Sequence, residues 1–498
     1  MKYLSFVLVA AILIIAFLLR AKEALSNNYL FLIDMGRDMM AVRDIVVNHH
    51  LTLIGPYTSL GGVFQGPLYY YLLSIPTFIS KGDPLGALIL MLVISLLTAV
   101  LAFIFLRKHF GLRAAYIGLF LFAVCPEAVA AATYTWNPHP MWLLMVIFIS
   151  LLFEVSLKNK KAHVFLWPVI GLMFHFEAAL GFFIFATTLT YCLVFLKKDI
   201  LNKYLLVGLS LLFVTFIPQL LFDLRHQFLM TKSVLNMFKG DGVGLLAGKE
   251  SFNFPTLITN HFIELFNNYK SSFPSEKPFS LFALIMLFIS IPIFLLTRKD
   301  PKLKKEKTFF SFYLKFLVLF ILATSLYLFP IRYWFLTGFQ SLHLMVTAII
   351  ISVLIKYKVG KFIAVILAIP IIFYLVIRLN ILYFGPVDNG GTAKIKGKIE
   401  AIDYIYKDAK GEKFGLLIFT PPVSTDPYDY IILWRADKKY KYIPYKEKKG
   451  TFYLLIEPDL GQPWTYKGWL ETVVKTGRIE KTVEMPSGFI IQKRISNL

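Results

Sequence analysis

Apolar runs separated by short basic turns set the pattern of this chain. Segments 3–19, 85–106, 114–131, 140–157, 163–175, 178–196, 204–222, 279–297, 309–329, 337–355 and 361–383 are nearly unbroken hydrophobic sequence. Most approach the ~20 residues that carry a helix across a bilayer. They lack the period-two alternation of barrel strands, and only helices or closed barrels satisfy their backbone in lipid. The pattern predicts an α-helical polytopic membrane protein with about eleven transmembrane helices. A twelfth apolar piece, 66–80, is short for a span and runs into Lys81-Gly82-Asp83-Pro84. It predicts a helix lying at the surface, with Tyr69, Tyr70 and Tyr71 at headgroup depth.

That choice fixes an orientation. With 66–80 at the surface, the basic turns 107–113, 158–161, 197–203, 298–307 and 356–361 all fall on one side. By the positive-inside rule that side is cytoplasmic. The amino terminus is then cytoplasmic and the first span an uncleaved anchor, since no small-residue cleavage site follows it. Residues 20–84 and 223–278 become two long external loops. The second loop is expected to hold a surface helix over 258–269. From Gly385 the apolar runs shorten and Gly and Pro punctuate the chain. Segment 394–409 reads as an amphipathic helix, and 414–419, 428–434 and 452–456 read as strands. The expected division is a membrane domain, 1–384, and a small extracytoplasmic α/β domain, 385–498.

Composition agrees with a membrane protein. Of 498 residues, 57% are hydrophobic and 16% charged, against roughly 25% charged in soluble chains. The formal net charge of +22 does not point to nucleic acid. The basic residues sit in the cytoplasmic turns, where their partners are membrane lipid headgroups. The two cysteines, Cys125 and Cys192, both lie in apolar runs, so no disulfide framework is expected outside. No Cys/His cluster has metal-ligand spacing, and the adjacent pair His49–His50 does not converge on one ion.

Charge with chemical potential gathers just after the first span. Asp34, Arg37, Asp38, Arg43 and Asp44 lie within eleven positions. On a helix, Asp34 and Asp38 share a face with Arg37 beside them. This is an arrangement for a base and an anion clamp, or else the solvated face of an amphipathic helix. His175 and Glu177 stand where two spans meet with almost no loop, and ionisable groups at such depth mark sites. Asn137 and His139 in the turn Tyr134-Thr135-Trp136-Asn137-Pro138-His139-Pro140 are candidate substrate-binding residues that offer hydrogen-bonding side chains. Arg225 and Arg332 lie on external segments and offer forked donors to an anion.

The order of spans, the acidic first loop and these motifs resemble integral-membrane glycosyltransferases of the GT-C fold. The branch is the protein-mannosyltransferase-like one (glycosyltransferase family 39-like), which includes the transferase that adds aminoarabinose to lipid A. The family's first loop carries Asp-Glu-x-Arg-Tyr or a variant; here the run is Asp34-Met35-Gly36-Arg37-Asp38. Asp34 falls on the catalytic aspartate and Arg37 on the arginine, while Met35 replaces the second acid, which Asp38 would supply from the next turn. A Pro-Pro-Leu-Tyr type ending appears as Gly66-Pro67-Leu68-Tyr69. Where the family often has Lys-Gly, this chain has His175-Phe176-Glu177, so the lysine's phosphate role does not carry over.

The resemblance implies transfer of a sugar from a polyprenyl-phosphate donor to a lipid, glycan or protein acceptor outside the plasma membrane. It implies an inverting single displacement with Asp34 as base. No cofactor is expected, and a divalent metal stays open. Two other classes remain in view from the sequence. One is a transporter or flippase of lipid-linked sugars, which would favour inverted repeats and broken midplane helices. The other is a non-catalytic envelope-assembly protein in which Asp34 would be replaceable.

Overall fold

The structure, a computed structural model, describes residues 2–197, 202–239, 254–274, 281–386, 388–421, 424–459, 461–462 and 464–496. Parts of the expected basic turn 197–203 and of the loop 223–278 lie outside the described residues.

The membrane portion is built of α1 (Lys2–Leu25), α2 (Ile33–Val47), α3 (Leu68–Ile79), α4 (Leu85–Phe110), α5 (Leu112–Val124), α6 (Pro126–Ala130), α7 (Met141–Ser156), α8 (His163–Met173), α9 (Ala178–Tyr191), α10 (Lys203–Arg225), α11 (Leu229–Phe238), α12 (Phe254–Ser271), α13 (Phe282–Lys299), α14 (Lys304–Ser325), α15 (Gln340–Leu354) and α16 (Lys358–Phe384). Each expected span holds a helix, and among the described residues seven helices are long and apolar enough to cross a membrane by length and composition. At twelve residues, α3 is shorter than the ~20 that carry a helix across a bilayer. The core is centred on α15, every residue of which is buried and which packs against α4, α5, α7, α13 and α16. By contrast, α10 and α16 present rows of exposed Leu, Ile, Val and Phe, the surface lipid covers.

Two expected boundaries move. The first span continues past residue 19 to Leu25, so Arg20 belongs to a helix and not to a loop. Arg20 is buried and fully engaged. Its Nε donates to Ser95 Oγ at 2.9 Å, and Nη1 donates to Ala16 O at 3.0 Å and Ala123 O at 2.7 Å. Its Nη2 donates to Phe122 O at 2.8 Å. The Phe122 and Ala123 carbonyls lie in the last turn of α5, which would otherwise lack donors. The second change is at 114–131, which is two helices: Pro126 cannot continue α5 and instead opens α6.

The connections alternate between two ends. At one, basic turns are tied by ion pairs: Glu154 on α7 meets Lys108 and His109, and Lys356 Nζ meets Glu306 Oε1 at 2.7 Å. At the other lie α2, α3, α11, α12 and the C-terminal part. The last comprises α17 (Ile395–Asp408), α18 (Asp426–Arg435), α19 (Trp464–Trp469) and strands β1 (Gly415–Phe419), β2 (Thr451–Ile456), β3 (Arg478–Glu484) and β4 (Ile490–Ile495). The sheet order is β1-β2-β4-β3, with β1 and β2 parallel and the other pairs antiparallel. The five residues of β2 from Phe452 to Ile456 are all buried, which explains an unbroken apolar run.

Segment 428–434, expected as a strand, is the helix α18. Its aromatic and β-branched residues are buried on several sides, so their strand preference is overridden by packing. Local signals also favour a helix start: Pro427 sits in the first turn, and Thr425 Oγ1 donates to Asp429 Oδ2 at 2.6 Å. The same helix docks the C-terminal part onto the membrane part. Tyr430 Oη donates to Gly82 O at 2.7 Å, and Phe31 N and Ile395 N bond to Ala393 O and Tyr29 O at 3.0 and 2.9 Å.

Candidate active site

One cavity of about 330 Å³ opens at the end of the bundle that carries α2. It is lined by Asp34 and Arg37 from α2, Gln65 from the following loop, Asn137 from the turn before α7, Glu177 from the start of α9, and Tyr333 from the turn before α15. Five stretches remote in sequence thus converge at one point.

The geometry of α2 sorts its charges. Met35, Asp38, Met39 and Val42 form the buried stripe, at the three- and four-residue spacing of a helix face. Asp34, in the first turn and 44% exposed, borders the cavity, whereas Asp38 is 1% exposed and lies outside its lining. Arg37 bridges them. Its Nη1 donates to Asp34 Oδ1 at 2.9 Å, and Nε and Nη2 donate to Asp38 Oδ1 at 2.9 and 2.7 Å. The guanidinium also lies 4.6 Å from the centre of the Tyr57 ring. Burial works against the Arg37 charge, but Asp38 and Asp34 outweigh it and raise its pKa. Burial pushes the Asp38 carboxyl up to about 7, opposed by Arg37 and by the Tyr70 hydroxyl that donates to it at 3.3 Å. The arginine expected as a phosphate clamp therefore has all three of its side-chain nitrogens engaged by Asp34 and Asp38.

Glu177 is the second acid of the cavity. It is buried and caps α9, accepting from Ala179 N at 3.4 Å, and burial pushes its carboxyl up to about 8. Beside it, Gln65 Oε1 accepts from Ala178 N at 2.8 Å. A carboxyl raised this far binds a proton in the folded protein that the unfolded chain releases above its ordinary range near pH 4.5. Folded stability from this group is complete below that range and is lost as pH rises through about 8. Thermal unfolding of detergent-solubilised protein should show the melting temperature falling between pH 5 and pH 8. Glu177→Gln should flatten that slope, and an unchanged slope would mean that Glu177 is ionised in the fold.

The remaining candidates separate. Asn137 lines the cavity, its amide nitrogen donating to Phe176 O at 2.6 Å. His139 faces a neighbouring cavity instead; its Nδ1 bonds to Tyr134 O at 3.0 Å, and burial holds its imidazole down to about 4. His175 acts as a brace. Its Nδ1 accepts from Leu68 N at 3.3 Å, its Nε2 donates to Thr215 O at 2.9 Å, and burial keeps it neutral. A Cβ on Gly66 would stand 2.0 Å from that imidazole, so glycine is required ahead of Pro67 and Leu68. Arg43 turns away to pair with Asp437 at 2.7 Å, tethering α2 to the segment after α18. Arg225 is exposed at the end of α10 and lines neither cavity. Arg332 is exposed beside the lining residues Tyr333 and Trp334. Among the described residues, no group of three or more His, Cys, Asp or Glu side chains is placed to hold a metal ion.

Residues 65–222 match the family described as dolichyl-phosphate-mannose-protein mannosyltransferase. No curated protein matches the sequence. Solved structures resemble it over nearly its whole length. ArnT from Cupriavidus metallidurans bound to undecaprenyl phosphate superposes with a TM-score of 0.59 at 10% identity, covering 98% of this chain and 97% of that one. The archaeal oligosaccharyltransferase AglB from Archaeoglobus fulgidus, in complex with an inhibitory peptide and a dolichol-phosphate, gives 0.53 at 14% identity over 98% and 74%. The chain has the GT-C fold. Its structural relatives are glycosyltransferases, and two were solved with a polyprenyl-type phosphate bound.

Sequence reasoning passed over several residues that the structure brings to these cavities. Tyr57, Gln65, Trp136 and Tyr333 carry no charge to draw attention. Glu127 had a signal: it is a carboxylate inside the expected span 114–131, where an ionisable group is costly unless it faces a polar cavity.

Proposed function

We propose that this protein transfers a single sugar from a polyprenyl-phosphate donor to an acceptor hydroxyl at the membrane surface, by one inverting displacement. The observation that carries this reading is the half-exposed Asp34 carboxylate, oriented by Arg37, on the wall of a cavity shared with Glu177 in a GT-C fold. Asp34 removes the acceptor proton as the hydroxyl attacks the anomeric carbon. The sugar–phosphate bond breaks on the opposite side, and the lipid phosphate leaves with its charge. The test is release of polyprenyl phosphate from a radiolabelled donor, run with and without a chelator so that a metal requirement is read in the same assay.

Negative charge on the leaving phosphate needs a cation that is not already paired. With Arg37 between two carboxylates, Arg332 is the guanidinium at the rim with no ion-pair partner among the described residues. Arg332→Ala should raise the donor KM by about ten- to a hundredfold, the worth of a charge-assisted hydrogen bond. An unchanged KM would assign the phosphate to another group.

This reading puts the reaction on the external face of the plasma membrane, and it is supported by a cavity at the end of the bundle opposite the basic turns. Both native cysteines are buried, so single introduced cysteines report cleanly. An impermeant thiol reagent should label Ser59→Cys and Ser424→Cys in intact cells and spare Thr308→Cys. The reverse pattern would invert the topology and remove the external donor.

A further inference from the structure

A second cavity, of about 150 Å³, lies next to the first and shares Trp136 and Tyr333 with it. We propose that it binds one uncharged sugar ring, presented to the Asp34 cavity across those two aromatic residues. This rests on the transferase reading above for its purpose but not for its chemistry.

The chemistry comes from the lining. Glu127 and Glu264 contribute two carboxylates, and among the described residues no lysine or arginine lines the space. His139 is held neutral at ordinary pH by its burial, with Nδ1 bonded to the Tyr134 carbonyl, so its Nε2 is an acceptor. Asn268, also in the lining and 6% exposed, donates its amide nitrogen to Leu336 O at 2.9 Å. Its Oδ1 is buried with no hydrogen-bond partner. A buried acceptor without a donor destabilises the fold, and a ligand hydroxyl would supply the missing donor. The cavity is therefore rich in acceptors and hostile to anions, and the complementary ligand brings several donors.

The aromatic wall narrows the class further. Tyr134 and Trp136 stack with centroids 6.3 Å apart, and His139 packs edge-on against both. A flat aromatic face beside clustered acceptors matches a sugar ring, which offers C–H groups on one face and hydroxyls at its edge. Neutral pyranosides or pentosides fit; uronates and sugar phosphates would meet the two carboxylates. Sugar in this cavity has two sources, the donor's own sugar or the end of a glycan acceptor, and the chemistry is the same for both.

Binding is measured without any transfer reaction, by saturation-transfer NMR on the full-length protein in lipid nanodiscs. The probes are a panel of neutral methyl glycosides, glucuronate and glucosamine. Neutral glycosides should give signal and glucuronate none. Glu264→Ala, at a half-exposed position on α12, should lose most of the signal, while Glu412→Gln, an exposed glutamate that lines neither cavity, should keep it. Absence of neutral-glycoside binding, equal binding of glucuronate, tighter binding of glucosamine, or full signal in Glu264→Ala would each overturn the proposal. Labelled donor then separates the sources. If Glu264→Ala slows donor hydrolysis by water as well as transfer, the cavity holds the donor sugar; if it slows transfer alone, the cavity holds the acceptor. Sugar binding without any donor turnover in the wild type would sink the transferase reading and leave this subsite standing.

Discussion

Asp34→Asn is expected to lower sugar transfer by about a hundred- to ten-thousandfold, the usual cost of losing a general base, with donor binding largely intact. The amide keeps the size of the side chain and can still accept from Arg37 Nη1, which lies 2.9 Å from Oδ1. What it loses is the ability to take a proton from the acceptor. The structure also says which acid should matter less. Asp38 is buried behind Arg37, away from the cavity, and receives three hydrogen bonds on Oδ1 from Arg37 and Tyr70. Asp38→Asn should act through the position of Arg37 and cost less than Asp34→Asn. The measurement is kcat and KM for release of polyprenyl phosphate from both purified variants. A null Asp38→Asn beside a nearly wild-type Asp34→Asn would move the base one helical turn along α2. Full activity in both would refute the displacement mechanism.

Most of the membrane fold could be read from the chain because a bilayer leaves few choices. A run of about twenty apolar residues has to be a helix, and the basic turns order the runs in space. The misreadings came where that constraint ends. The segment Tyr428-Asp429-Tyr430-Ile431-Ile432-Leu433-Trp434 has strand composition, yet it is a helix because its faces pack against α2 and α17 at once. That is information held by the partners and not by the segment. The candidate site divides in the same way. The spacing Asp34, Arg37, Asp38 was visible as one-turn neighbours, and their ion pairs follow from it. Which carboxylate faces the cavity was not visible, because it depends on the rotation of α2 against α3 and α18. Likewise, His175 and Glu177 are two residues apart, and only the fold shows that one braces α3 while the other enters the cavity.

The rotation of α2 rests on a backbone contact that a single methyl group would test. Gly36 lies on the buried side of α2, and a Cβ there would stand 2.3 Å from Pro427 N, 2.5 Å from Pro427 Cα and 2.6 Å from Asp426 C. All three are backbone atoms, so no side-chain rotation relieves the clash. In isolation Gly→Ala favours a helix by about 1 kcal/mol, which means that propensity alone predicts a gain. Gly36→Ala is instead expected to push α2 away from α18 and carry Asp34 and Arg37 out of register with Glu177. A displacement of about 1 Å at a reacting group can cost on the order of a hundredfold. The expected result is a fall in kcat of that size in a protein that still inserts and still binds donor. Gly468→Ala is the control, since a Cβ at that position meets nothing within 4 Å; it should leave activity unchanged. Among the described residues the C-terminal part contributes no side chain to the lining of the Asp34 cavity, so its part in catalysis would be to hold α2 at the correct angle from behind. Wild-type turnover in a well-folded Gly36→Ala protein would show that the angle of α2 is set from the membrane side alone, by α3, and that α18 only rests on it.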